Sequence, residues 1–167
     1  MCAPVIYRVE EMTAHLEGLS DLLIQTVANG ASIGFLHPLA ESAAQQYWRE
    51  VQNEAPIFLV AYMEQQLAGT VQVQLCMKEN GRHRAEIAKL MTHPVYRRKG
   101  IGQLLMQHAE QLAREHHRSL LVLDTREGDP SNTLYKKMGY VEAGKIPDFA
   151  LSSSGQLDAT VIYYKLI

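Results

Sequence analysis

The sequence predicts a mixed α/β domain with a central sheet flanked by helices. Three observations carry that expectation. Apolar residues recur at helical spacing in some segments, they run together or alternate in others, and the two kinds interleave in the order β-α-α-β-β-β-α-β-α-β-β. The 167 residues suffice for one buried core, and no repeat, low-complexity tract or linker divides them, so residues 1–167 read as one domain.

Residues 4–9 read as a short opening strand. Thr13 stands where it can cap a helix whose face carries Leu16, Leu19, Leu23 and Val27, and Asn29-Gly30 stops that helix because both tolerate the left-handed conformation. Gly34 and Pro38 make residues 31–39 a loop. A second helix carries Ala40, Ala44, Tyr47, Trp48 and Val51 on one face and ends before Pro56. Residues 57–62 are apolar enough for burial on both sides. Val71, Val73, Leu75 and Met77 alternate with Gln72, Gln74 and Cys76, which predicts a half-buried strand with Cys76 as a buried structural thiol.

Asn80-Gly81 predicts a two-residue hairpin turn, whose central residues need positive φ. The returning strand covers residues 83–92 and Pro94 closes it. A long helix then runs from Gly100 to about His117, with Ile101, Leu104, Leu105, His108 and Leu112 on its stripe. Residues 120–123 form a short strand. Asp129-Pro130 supplies the N-cap and first-turn proline of a brief helix that Gly139 stops. Residues 140–143 and 160–166 complete the strands.

Composition narrows the function classes. Hydrophobic residues at 47% and charged residues at 20% are ordinary for a soluble globular chain. A net charge of -2 argues against nucleic acid as the main partner, since basic character is confined to residues 82–84 and 97–99. No apolar run approaches a membrane span and the N-terminus lacks a signal-peptide core, so no membrane partner is expected. Cys2 and Cys76 are too few for a disulfide framework or zinc site, and a reducing, cytoplasmic setting is expected. His116-His117 reads as a solvated helix end, and no metal is expected.

The sharpest signal follows Pro94. A strand ends, Arg97-Arg98-Lys99 follows, and a helix starts on Gly100-Ile101-Gly102. Free amides and the positive end of a helix dipole favour an anion there, and glycine lets the backbone approach it. A Walker A loop needs Lys followed by Ser or Thr, whereas Gln103-Leu104 follows here; a dinucleotide fingerprint needs a third glycine where Leu105 stands. The remaining reading is Arg-x-x-Gly-x-Gly at a strand-to-helix junction, a site for the pyrophosphate of coenzyme A.

The run from Leu90 through Met91, Thr92, His93, Pro94, Val95, Tyr96 and Arg97 to Gly102 resembles the core motif of the GNAT-superfamily acetyltransferases. Residues 134–140, Leu-Tyr-Lys-Lys-Met-Gly-Tyr, resemble that family's second motif. The resemblance implies the GNAT acyl-CoA N-acyltransferase fold and acetyl-CoA as donor. It implies main-chain contacts from Leu90, Met91 and Thr92 at a bulged or splayed strand, with an amide such as that of Met91 polarising the thioester. It also implies pyrophosphate binding by Arg97, Arg98, Lys99, Gly100, Ile101, Gly102 and Gln103, and Tyr135 as donor-side acid. The asparagine that many members carry seven residues before that tyrosine is Gly128 here, and Asn132 is the substitute expected to touch coenzyme A.

A further resemblance covers nearly the whole chain. Residues 29–35, 80–86, 123–125 and 160–165 are similar to segments of the tabtoxin-resistance branch, whose acceptor is tabtoxinine-β-lactam. It implies that Glu86 and Asp124 face the acceptor. Amine acetylation needs a base for the ammonium, a polarised thioester carbonyl and an acid for the thiolate. Glu86 and Asp124 are the candidate bases, and both also suit binding of a cationic substrate. As purely structural groups, Glu86 would pair with Arg84 or Lys89, Asp124 would cap the following turn, and Tyr135 would pack in the core.

The 31–39 loop, the second helix and a loop over residues 145–158 are expected to wall the acceptor site, with Phe35 and Asp148 as binding residues and Tyr47 and Phe149 nearby; Trp48 reads as core. No Cys-His or Ser-His nucleophile is evident, so direct transfer to a small-molecule amine in a ternary complex is expected. Acetylation of a protein or peptide amine, or a coenzyme A sensor without turnover, are the alternatives. The strand over residues 160–166 is a candidate for pairing across a homodimer.

Overall fold

A computed structural model describes residues 3–167, so Cys2 lies outside the described residues. The elements are β1 (Val5–Arg8), α1 (Leu16–Ala28), α2 (Glu41–Val51), β2 (Ile57–Met63), β3 (Gln66–Leu75), β4 (Arg84–Thr92), α3 (Ile101–Glu115), β5 (Leu120–Arg126), α4 (Ser131–Lys137), β6 (Val141–Leu151) and β7 (Leu157–Leu166). The order is the one the sequence predicts. Seven strands form one sheet ordered β1-β2-β3-β4-β5-β7-β6, with β4 and β5 parallel and every other pair antiparallel.

Strand alternation feeds two cores, one on each face. Leu59, Val71, Ile87, Leu121, Leu123, Val161 and Tyr163 pack against α3, which contributes Ile101, Leu105, Met106, Ala109, Leu112 and Ala113. On the other face, α1 and α2 bring Leu19, Leu23, Val27, Ala44 and Trp48 against Phe58, Val60, Leu67 and Met91. The helical stripe of α3 is therefore turned from the predicted one: His108 is exposed while Met106, Ala109 and Ala113 are buried.

Several local expectations are corrected. Thr13 does not cap α1; it lies in a single 3₁₀ turn, Met12–His15, and His15 precedes the helix without a side-chain cap. Asp129 does not cap α4, because its carboxylate is drawn to the Arg126 guanidinium at 2.8 Å. β3 is buried on both faces, since α2 covers its polar side and the Tyr47 hydroxyl accepts a 2.9 Å hydrogen bond from Gln72 Nε2. Cys76 lies past the end of β3 and is only half-buried.

Asn80-Gly81 forms no left-handed hairpin turn but the end of a 3₁₀ turn, Glu79–Gly81. Glycine is required there by closeness: a Cβ on Gly81 would stand 2.5 Å from Cys76 Sγ. Most of residues 145–158 belongs to the β6-β7 hairpin rather than to a loop. β7 lies between β5 and β6, so it has no free edge to pair across a dimer.

Candidate active site

The parallel pair in mid-sheet creates the site. β4 and β5 pair only at Arg84↔Leu120, Ala85↔Leu121 and Glu86↔Val122, and beyond them the two strands part. From Ile87 to Thr92, the edge of β4 that faces β5 is left without a strand partner, forming a wedge. β4 also bulges: Thr70 of β3 opposes Met91 whereas Gln72 opposes Ala88, so Lys89 and Leu90 stand against Val71 alone. Lys89 adopts φ 53, a conformation that costs energy in a residue with a Cβ. Gly69 makes the bulge possible, because a Cβ there would meet the Met91 carbonyl oxygen at 2.7 Å.

The mouth of the wedge carries the predicted anion loop. After the Pro94–Tyr96 3₁₀ turn, Arg98 at φ 62 and Gly100 at φ 79 swing the chain into α3, which has no side-chain N-cap. The amides of Ile101, Gly102 and Gln103 therefore open α3 without intrahelical partners. Arg97, Arg98 and Lys99 are exposed around them, with the Lys99 ammonium 5.2 Å from the Tyr96 ring centroid. The wedge thus offers unpaired strand groups along one edge and, at its mouth, free amides and cationic side chains where an anion is favoured.

Strand parity places the acids on the opposite side from α3. Ala85, Ile87, Leu121 and Leu123 fill the α3-side core, which leaves Glu86, Val122 and Asp124 on the other face. There they share a cleft of about 240 Å³ with Ile146, Phe149 and Ile162. Asp124 Oδ2 accepts a 2.8 Å hydrogen bond from Thr160 Oγ1, so this carboxylate is fixed by β7 rather than spent on the following turn. Glu86 forms no ion pair with Arg84 or Lys89 among the described residues. Partial burial pushes the Glu86 carboxyl above its usual range, Asp124 pushes it further, and Lys89 opposes both.

Tyr135 is 5% exposed, with Tyr140 and Tyr163 ring centroids 5.8 and 5.9 Å away. Burial first, then the charge of Asp124 and the nearby Tyr163, holds its phenol well above the ordinary value, so it stays a proton donor at neutral pH. The same side chain thus belongs to the core and feels the Asp124 carboxylate in the cleft.

Two predicted contacts change. Asn132 is committed within the chain: Nδ2 donates to the carbonyls of Arg126 and Asp129, both at 2.9 Å, and Oδ1 accepts from the Tyr163 hydroxyl at 2.8 Å. Its amide clasps the β5-α4 turn, where Gly128 sits at φ 85, and is not free for coenzyme A. Asp148, at φ 51 on the irregular part of β6, is exposed and does not line the cleft; its neighbour Phe149 does. Phe35 stacks edge-on against Tyr47 at 5.0 Å, and Trp48 is fully buried as core.

Residues that sequence reasoning missed are Lys89, Arg126 and Thr160. Lys89 Nζ donates to the Ile33 carbonyl and lies 5.9 Å from the Phe35 ring centroid. A lysine between Ala88 and Leu90 in an apolar strand is the one signal that could have revealed the bulge. Among the described residues no cluster of His, Cys, Asp and Glu suits a metal ion, and no helix is long and apolar enough to cross a membrane.

Comparison with known proteins agrees with this arrangement. Residues 22–140 match the acetyltransferase (GNAT) family. The ribosomal-protein-alanine N-acetyltransferase of Brucella melitensis is 21% identical, with 98% of this chain and 99% of that one aligned at a TM-score of 0.81. The yncA protein of Salmonella typhimurium, solved with its cofactor acetyl-CoA, is 15% identical over 98% and 93% of the two chains at a TM-score of 0.79. A candidate phosphinothricin N-acetyltransferase is 20% identical over 98% of both at a TM-score of 0.81. With the family match spanning most of its length and the wedge, bulge and anion loop in place, the chain belongs to the GNAT family and is an acetyl-CoA-dependent N-acetyltransferase.

Proposed function

We propose that this enzyme acetylates the primary amine of a small molecule by direct transfer in a ternary complex. The observation that supports it best is the pairing of Glu86 and Asp124 in one small cleft beside the wedge. Two carboxylates attract an ammonium ion, and the raised affinity of Glu86 for protons suits it to accept one as the amine becomes nucleophilic. Bound acetyl-CoA supplies the thioester carbon to which the new C–N bond forms and the thiolate released as the C–S bond breaks. The ammonium proton passes to Glu86, with Asp124 holding the amine. Tyr135 donates its phenolic proton to the departing sulfur and is restored by the second proton that the nitrogen sheds as the amide forms, while main-chain amides at the β4 bulge, that of Met91 foremost, polarise the carbonyl.

The resemblance of residues 29–35, 80–86, 123–125 and 160–165 to segments of the tabtoxin-resistance branch favours a compact toxin-like amine such as tabtoxinine-β-lactam. A peptide amine is the second reading, favoured by the likeness to the Brucella ribosomal-protein enzyme. Release of coenzyme A thiol, followed across tabtoxinine-β-lactam, amino acids, polyamines and peptides, separates the two. Glu86→Gln and Asp124→Asn should each lower kcat/KM for the best acceptor about 100-fold or more. Tyr135→Phe should lower kcat while leaving KM for acetyl-CoA near the parent value. Full activity in both carboxylate variants would remove the pair from the mechanism.

A further inference from the structure

The segment from residue 30 to residue 37 crosses the acceptor side of the wedge and is held at three points. Arg126 Nη2, at the end of β5, donates to the Gly30 carbonyl at 2.8 Å. Ser153 Oγ, in the β6-β7 hairpin, accepts from the His37 amide at 3.0 Å. Between them, Lys89 Nζ donates to the Ile33 carbonyl, under the Phe35 ring. Lys89 reaches this strap only because the β4 bulge turns it out of strand alternation at φ 53. Gly34 allows the approach, since a Cβ there would stand 3.1 Å from Lys89 Nζ.

We propose that Lys89 is a positioning residue for the acceptor: it ties the strap, and with it Phe35, to the β4 bulge, and presents its charge to Glu86 and Asp124. The proposal rests on the reading of those two carboxylates as the acceptor-facing pair. Of the ionisable groups around the ammonium, Glu86 on β4 and Asp124 on β5 face it. Tyr135 on α4 stands behind Asp124, and Tyr47 on α2 lies against Phe35. The strap contributes none between residues 30 and 35. The Arg126 guanidinium, also bonded to the strap, is paired with Asp129 at 2.8 Å and Asp158 at 3.6 Å, so Lys89 supplies the positive charge that acts on Glu86. Its burial lowers its own proton affinity, and both acids counter that.

The test compares Lys89→Met with Lys89→Arg, which keeps charge and donor. Lys89→Met should raise KM for the best acceptor about ten-fold, the loss expected for a hydrogen bond from a charged donor, with the Kd for acetyl-CoA unchanged. It should also move the acid limb of kcat/KM to higher pH, because Glu86 loses the cation that opposes its protonation. Hydrogen exchange over residues 31–36 should speed up, and Lys89→Arg should restore most of each effect.

Gly34→Ala places a methyl group against the ammonium, so its effect on acceptor KM should be smaller in the Lys89→Met background than in the parent; backbone strain at φ 93 is common to both backgrounds and cancels in that difference. Parent exchange and parent KM in Lys89→Met would overturn the proposal. Faster exchange with unmoved KM and pH limb would reduce Lys89 to a stabilising contact and overturn it equally. If Lys89→Met does not fold, Lys89→Gln, which removes the charge and keeps a donor, carries the test, and parent exchange, KM and pH limb there would reject the role. Exchange needs no turnover, so inert Glu86 and Asp124 substitutions would sink the base assignment, while the tie between Lys89 and the strap would still be decided by exchange.

Discussion

At the scale of single residues, Glu86 carries opposed demands. Desolvation and the adjacent Asp124 charge make its ionised form unfavourable, yet that form is the one able to take a proton from an amine. In the free enzyme the acid limb of kcat/KM should lie above the ordinary 4.5 of a glutamate and vanish in Glu86→Gln. Stability runs the other way. The folded state binds this proton more tightly than the unfolded chain, so stability is fully present below the unfolded pKa and is lost as pH rises through the folded one. Glu86→Gln should therefore unfold at a higher temperature than the parent at neutral pH, and the difference should shrink below pH 4.5. A variant less stable at neutral pH would show that Glu86 is held by favourable contacts instead. Tyr135 was legible as a candidate from its place in the second motif, and Glu86 and Asp124 as carboxylates within and just after apolar strand runs. Lys89, Arg126 and Thr160 were not, because their value lies in partners 56, 96 and 36 residues away in sequence.

Among the secondary-structure elements, the type and order were legible, and the ends were not. Periodicity survives because burial of a whole face depends on many residues at once, as in α2 and β2. Caps and turns depend on one side chain and lose when a stronger partner is near, as Asp129 shows by turning to Arg126. The β6-β7 hairpin was missed because β6 is an edge strand, exposed along most of its length, and carries no apolar alternation to read. The β4 bulge has a second determinant in β3. Gly69→Ala would drive a methyl group to 2.7 Å from the Met91 carbonyl, 3.0 Å from Ile101 Cγ2 and 3.1 Å from Leu105 Cδ1. Backbone on one side and the first turns of α3 on the other leave no flexible neighbour to yield. The cost should be about 1–3 kcal/mol in chemical denaturation, with acetyl-CoA affinity reduced because both Met91 and the α3 start are displaced. Parent affinity at reduced stability would show that the bulge tolerates the shift.

For the whole molecule, β4 and β5 are the seam of the sheet. Their three paired positions join β1 to β4, packed under α1, α2 and α3, to the β5-β7-β6 half. A ligand lying in the wedge and reaching the α3 start would contact both halves, and it binds only the folded chain. Acetyl-CoA at 100 times its Kd should then stabilise the enzyme by about 2.7 kcal/mol, a rise in Tm of about 5–10 °C for a chain of this size. The contribution from the exposed Arg97, Arg98 and Lys99 is a surface one and subject to screening. The rise should accordingly shrink between low and high salt, and it should be smaller for pantetheine, which lacks the pyrophosphate. An equal rise for pantetheine and acetyl-CoA at low salt would mean that the loop from Arg97 to Gly102 holds no phosphate, and the donor site would have to be sought along the strand edge alone.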